Sequence, residues 1–255
     1  MGKRVVAIKK KKADREKRFD LEKHLEEEHH DLGRGDMLRD AILGGQDGLV
    51  NVLGVILGVA AATLDAKIVI IAGLAATFAE SVSMGAVAYT STKAEQDFYH
   101  SQYEKEKREV NMGSPTEVEE VRELYRRKGF TGKLLDQIVR KITSDKKVWL
   151  DFMMQEELQL GRPELKNALK SAVVVGVAAI IGSLVPLAAF LFLPIQTAIY
   201  AALVLSAAVL FAAGVVKAEL TTGSAWKTGL EMTAIGMVSA LIGYAIGAWL
   251  GVALT

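Results

Sequence analysis

Two carboxylates stand in stretches that otherwise carry no charge. Asp47 is the only charged residue from Ala41 to Leu64, and Glu80 the only one from Ile68 to Thr92. At about 1.5 Å per residue, helices of these lengths cross a hydrocarbon core of roughly 30 Å, so both carboxylates are predicted at membrane depth. A charge there costs about 2.5–3.5 kcal/mol on insertion scales, which makes each a candidate functional group in need of a partner. Asn51 lies four residues after Asp47 and Met84 four after Glu80, so each helix would present a two-ligand stripe. Packed face to face, the spans would bring together a carboxylate, an amide oxygen, a second carboxylate and a thioether. The alternative is a packing helix whose Asp47 caps a neighbour or pairs with a basic residue such as Arg39. Glycines at 44, 45, 48, 54 and 58 would let the first helix bend or pack closely.

A second group lies in the polar segment 93–166. Glu106 and Glu109, and again Glu117 and Glu120, have i,i+3 spacing, and Met153, Met154 and Glu157 fall within little more than one turn. Clustered carboxylates bind hard or borderline divalent cations and thioethers are soft, so the mixture points to a transition metal more than to magnesium or calcium. Such spacing is also what a solvated helix face and a Met-Met core step look like.

The elements that must position these groups follow from charge and punctuation. Residues 1–35 form a charged arm in which His24, His29 and His30 stand among Glu26, Glu27 and Glu28. Its i,i+3 Glu/His pairs have di-iron spacing, but one helix supplies only part of such a site, and a solvated face is the other reading. Residues 36–92 are two spans joined by a tight turn at Asp65-Ala66-Lys67. Residues 93–166 read as a helical subdomain: Ser114-Pro115 with Glu117 is a capping-box start, Gly129 a stop and Thr131 a new start. That second helix carries Leu134, Leu135, Ile138, Val139 and Ile142 on one face. A last helix through Trp149, Phe152, Met153 and Leu158 would end at Gly161-Arg162-Pro163. Residues 167–255 hold three more spans. Ala172–Val216 has no charge over 45 residues, too long for one crossing, with a turn expected at Phe192-Leu193-Pro194 and a kink at Pro186. The fifth span would begin near Leu230, and its Gly243, Gly247 and Gly251 offer a close-packing face for a homodimer. The fold class is therefore an all-α membrane protein of five transmembrane helices, with a cytoplasmic three-helix metal-binding subdomain between spans two and three.

Charge distribution orients the chain. Residues 1–40 hold twelve Lys/Arg and residues 91–166 fifteen, whereas Lys67 is the sole basic residue in the opposite loops and tail. The positive-inside rule then places arm and insert in the cytoplasm. The start of the chain has no apolar core with a small-residue cleavage site, so the first span would direct insertion. With no cysteine there are no disulfides, thiolate metal sites or haem attachments. No nucleophile, base and orienter constellation is present, and GGQDGL lacks the lysine of a phosphate-binding loop, so neither an enzyme nor an ATP-driven pump is expected. No nucleic-acid partner is expected.

Several motifs in order make the chain resemble the vacuolar iron transporter family over roughly residues 34–255: RDAILGGQDGLV (39–50), ESVSMGAVAY (80–89), the glutamate-rich insert, and VWLDFMMQEELQL (148–160) followed by spans three to five. The resemblance implies a dimeric five-span exporter of Fe2+, often also Mn2+, driven by proton antiport. It implies that Asp47 and Met84 are membrane-site ligands. Asp36 would stand at the cytosolic mouth, and the two-ligand stripes add Asn51 and Glu80 to the path. Glu106, Glu109, Glu117, Glu120, Met153, Met154 and Glu157 would form the cytoplasmic metal-binding cluster. Plant members carry their second-span glutamate about one turn before Glu80, and the N-terminal arm has no counterpart. The membrane would be vacuolar in a eukaryote and the plasma membrane in a prokaryote. The rivals are a membrane-anchored iron store and an uncoupled metal channel.

Overall fold

The computed structural model describes residues 35–160, 167–221 and 223–254. The arm with His24, His29, His30 and Glu26 to Glu28, and the stop at Gly161-Arg162-Pro163, lie outside them. In chain order the helices are α1 (Gly35–Thr63), α2 (Ala66–Met112), α3 (Pro115–Arg127), α4 (Gly132–Thr143), α5 (Lys146–Phe152), α6 (Ala168–Phe192), α7 (Ile195–Glu219) and α8 (Ala225–Leu254). A π-helical turn, Met153–Glu157, continues α5. The chain forms two compact units, one ending at Tyr89 and resuming at Leu169, the other Thr90–Ala168.

Among the described residues α1, α2, α6, α7 and α8 are the five helices long and apolar enough to cross a membrane. The predicted bounds shift in three places, the fifth span among them, since α8 starts at Ala225 rather than near Leu230. α1 starts at Gly35 rather than Ala41 and so takes in Asp36, Arg39 and Asp40. α2 does not stop where its apolar run stops: residues 93–112 contain no glycine or proline and many strong helix formers, so the helix continues until Gly113, whose φ of +65° ends it. The change at Thr92 is a change of solvent, not of backbone. Between α1 and α2, Leu64 adopts a left-handed φ of 53°, and Asp65 Oδ1 accepts from Lys67 N at 2.8 Å and Ile68 N at 3.3 Å to cap α2. α6 runs on through Pro186 to Phe192.

α1 is the central helix. Its Leu53, Ile56 and Leu57 have no exposed surface, and the core around them draws Val69 from α2, Leu187 and Phe190 from α6, Ala198 and Ala202 from α7 and Ala240 from α8. Large apolar side chains such as Ile71, Phe78, Tyr200, Val204 and Trp249 point outward, the arrangement lipid requires. Glycines let the backbones of α1 and its neighbours approach. A Cβ at Gly44, Gly48 or Gly182 would strike the carbonyl oxygen of Val175, Ala179 or Gly45 respectively, all at the α1–α6 crossing. One at Gly243 or Gly247 would strike the backbone of Gly54 or Gly58. The small-residue face of α8, expected to serve a homodimer, is thus filled by α1 of the same chain. Spacing shows that a helix can be approached closely but not by which partner.

The second unit packs α3, α4, α5 and the π turn with the C-terminal part of α2 around Val110, Val121, Leu135, Val139, Ile142, Trp149 and Met153. On α4 the expected apolar face holds except at Leu134, which is exposed. Ser114 caps α3 by accepting from Thr116 N at 3.2 Å. Glu117, however, does not complete a capping box; its side chain is buried and turned to other acids. Asp145, not anticipated, caps α5 through Lys147 N and Val148 N.

The α1–α6 contact predicts a contrast between neighbours. Gly182→Ala forces two backbones apart and should destabilise by about 1–3 kcal/mol. Gly45→Ala should be neutral or mildly stabilising, because its Cβ would meet nothing nearer than Ala178 O at 3.7 Å and alanine is the better helix former. Thermal unfolding in detergent distinguishes them; equal midpoints for the two variants would refute the close-contact account.

Candidate functional site

At membrane depth α1 and α2 bring their carboxylates together. Asn51 Nδ2 donates to Glu80 Oε1 at 2.6 Å. The Glu80 carboxyl is also within hydrogen-bonding and Coulombic reach of Asp47. Of the two expected stripes, Asp47, Asn51 and Glu80 are brought together, with the Asn51 amide N–H turned to Glu80. Among the described residues Asp47 makes no helix-capping hydrogen bond and no ion pair with Arg39, and the neighbour that acts on it is Glu80. The carboxylate that does tie α1 to a neighbouring helix is Asp40, which accepts from Ser171 Oγ at 2.5 Å. Asp47, Glu80 and Met84 are half-buried, and Asn51 is exposed. Asp36 is exposed on the first turn of α1.

The second unit holds a denser group. One carboxylate oxygen from each of Glu106, Glu109 and Glu117 lies within 4.8 Å of the others, a separation a single cation can bridge. Glu106 and Glu109 come from α2 and Glu117 from α3, across the turn at Gly113. Glu106 Oε2 and Glu117 Oε2 are buried without a hydrogen-bond partner. Such orphaned acceptors are costly unless something positive satisfies them. Glu120 acts on Glu117 by hydrogen bond and by charge, and Glu157 stands in the field of Glu106, Glu117 and Glu120. All five predicted glutamates are thus one electrostatic group.

Burial first, and then the charges of Glu120, Glu109 and Glu106, push the Glu117 carboxyl up to about 7. Glu157 is also raised, by desolvation of its carboxyl end and then by Glu120 and Glu117. Like charges crowded in a partly dry site hold protons that a divalent cation can displace.

The two methionines are placed differently from the acids. Met153 is fully buried with Val110, Val121 and Trp149, and Met154 packs with Tyr99 and Leu150. Both lie on the π turn, where Leu158 N donates to Met153 O at 3.1 Å and Leu160 N to Met154 O at 3.0 Å. A π turn in a helix commonly marks a functional site. Its outer side is tied down by the Lys128–Glu156 ion pair, with the Lys128 ammonium 5.6 Å from the Tyr125 ring centroid and Tyr125 stacked on Phe152 at 5.4 Å.

Sequence reasoning overlooked Lys105, which lies 3.8 Å from Glu109 Oε1 and whose charge also reaches Glu106 and Glu157. Its i,i+4 spacing to Glu109 was the available signal. It overlooked the Lys128–Glu156 tie as well, for which residues 28 apart in sequence offered none.

A model of the VIT family matches residues 38–248. Vacuolar iron transporter 1 of Eucalyptus grandis is 33% identical over 206 residues, covering 80% of this chain and 83% of that protein. Vacuolar iron transporter 2 of Oryza sativa subsp. japonica is 32% identical, covering 89% and 92%. Protein CCC1 of Saccharomyces cerevisiae is 29% identical, covering 80% and 66%. The expectation of a transporter rather than an enzyme agrees with this family and these relatives. Five apolar helices of spanning length, paired carboxylates on the first two and a match over most of the sequence lead to one statement: the chain belongs to the VIT family.

Proposed function

We propose that the protein exports Fe2+, with Mn2+ as a second cargo, from the cytosol in exchange for protons. The observation that carries this reading is the meeting of Asp47 and Glu80 on facing spans, since a helix that merely anchors has no use for a carboxylate pair in hydrocarbon. Similarity to proteins named as vacuolar iron transporters supports iron as the cargo. Metal is first captured by Glu106, Glu109, Glu117, Glu120 and Glu157, with Met153 and Met154 as thioether ligands on rearrangement of the π turn. It then occupies a membrane site of Asp47, Met84 and Glu80, with Asn51 orienting Glu80 and Asp36 at the cytosolic mouth. Proton and metal compete for the same oxygens at both places, which couples opposing flows if access to the membrane site alternates.

Orientation with the 93–166 segment in the cytoplasm rests on its Lys/Arg excess. The functional unit is a homodimer. In one chain Asn51 is exposed and Asp47 and Glu80 are half-exposed at membrane depth, and a second copy would shield them from lipid. The membrane is the vacuolar one in a eukaryotic cell and the plasma membrane in a prokaryotic one.

Proteoliposome uptake tests the reading. Wild type should carry Fe2+ and Mn2+ into the lumen only with an imposed proton gradient, and Asp47→Ala should fall to background. Binding without entry under any gradient would instead establish an anchored store, and gradient-independent entry an uncoupled channel.

The acidic cluster adds a pH prediction. Metal must displace the proton that Glu117 holds up to about pH 7, so Mn2+ affinity should weaken as pH falls, by about tenfold from pH 8 to 6 for each proton displaced. Titration calorimetry at the two pH values, with Glu117→Gln flattening the dependence, checks it. Stability of the metal-free protein should run the other way. A carboxyl whose folded pKa is raised stabilises fully below its unfolded value of about 4.5, and that contribution is lost as pH rises through about 7.

A further inference from the structure

A cavity of about 320 Å³ lies among α1, α6 and α7, on a different face of α1 from Asn51 and Glu80. Gln46 is the only polar side chain in its wall. Its floor is the close α1–α6 crossing at Gly45 and Gly182, and its rim is open to the side, with Ile181 63% and Val216 45% exposed. Along the helices it extends from Ala41 to Leu49, from Ala178 to Val185 and from Val209 to Val216. Seven to eight residues of helix are about 10–12 Å, and Ala41 and Val216 stand at the ends of the apolar runs of α1 and α7, so the cavity occupies one half of a hydrocarbon core roughly 30 Å thick.

At the end of the cavity nearest the membrane surface the lining faces carry two cations, with Glu219 two residues past one of them on another face of α7. Lys217 follows Ala213 by four residues and Leu210 by seven, which puts it on the lining face of α7 one turn beyond the cavity. Arg39 precedes Ile42 by three and Gln46 by seven, which puts it on the lining face of α1 at the same end. Both residues are exposed. Asp40, beside Arg39, is engaged by Ser171, and Asp36 lies a further turn out.

We propose that this cavity is a binding site for an anionic phospholipid of that leaflet, one acyl chain lying in the apolar cavity and the headgroup phosphate meeting Arg39 and Lys217. One-leaflet depth, a lateral opening and cations at the surface end are together what a single lipid molecule requires. The inference does not depend on which metal is carried or on proton coupling.

The test is native mass spectrometry of protein extracted from bilayers of equal phosphatidylglycerol and phosphatidylcholine. Wild type should retain phosphatidylglycerol preferentially. Arg39→Gln and Lys217→Gln should each lower that preference by about fivefold, at roughly the strength of one basic residue near a membrane surface. Ala213→Phe, which fills the cavity, should remove the retained lipid while leaving the charges in place. Equal retention of both lipids by wild type would overturn the proposal. So would loss of phosphatidylglycerol in the charge variants with full retention in Ala213→Phe, which would leave a surface headgroup contact alone. A shift of Ala213→Phe in oligomeric state with lipid retention unchanged would assign the cavity to a second copy instead.

Discussion

Inside a bilayer the hydrophobic effect does not draw helices together, because lipid tails are as apolar as leucine. What remains is dispersion between closely approached backbones, and the membrane unit depends on it along α1. At one end Gly44 and Gly48 meet the carbonyls of α6, and at the other Gly54 and Gly58 meet Gly243 and Gly247 of α8. Those two crossings fix the rotation of α1 about its axis. With the glycine faces spent on α6 and α8, the face bearing Asp47 and Asn51 is left for α2. The carboxylate pair is in this sense a consequence of the packing of small residues several turns away.

The soluble-side group is organised by the opposite principle. Five glutamates repel one another, and burial of Glu106 and Glu117 makes their charges dearer still. Apolar packing holds them: Val110 follows Glu109 and Val121 follows Glu120, and both valines are at most 1% exposed in the same core as Met153. Stability taken from that core holds acids in a place where only protons, the Lys105 ammonium or a bound cation can relieve them. A strained, oxygen-rich group of this kind gains more from a divalent ion than a solvated one would. On the proposed reading it would release that ion when protons return.

Much of this was legible in the sequence, and the illegible parts share a cause. Charge-free runs located five spans because hydrocarbon tolerates few charges, and i,i+3 glutamates marked the acids of the cluster because helical spacing is local. The continuation of α2 past Thr92 was hidden because a drop in hydropathy imitates a helix end, although residues 93–112 contain no breaker. Met-Met-Gln-Glu-Glu reads as ordinary α-helix, and its π turn appears only with the tertiary ties at Lys128 and Tyr125. The partner of Gly243 and Gly247, and the direction of the Asn51 amide, were set by helix rotation, which no single-helix pattern specifies. Glu117 shows two local rules in competition: its position favoured a capping box, and the acidic cluster took its side chain.

Electroneutrality constrains what the Asp47–Glu80 pair can hold. In a medium of low dielectric an unpaired carboxylate is costly, so the pair is most stable when its two negative charges are cancelled. Two protons do so, and so does one divalent cation. A single proton leaves one charge, and a proton together with a divalent cation leaves another of opposite sign. On the proposed exchange, the favoured states on the two sides of the membrane therefore differ by one cation against two protons. Alternation between them moves no net charge through the pair. Asn51 adds to this arrangement without adding charge: its N–H donates to Glu80 Oε1 and holds that carboxyl toward α1.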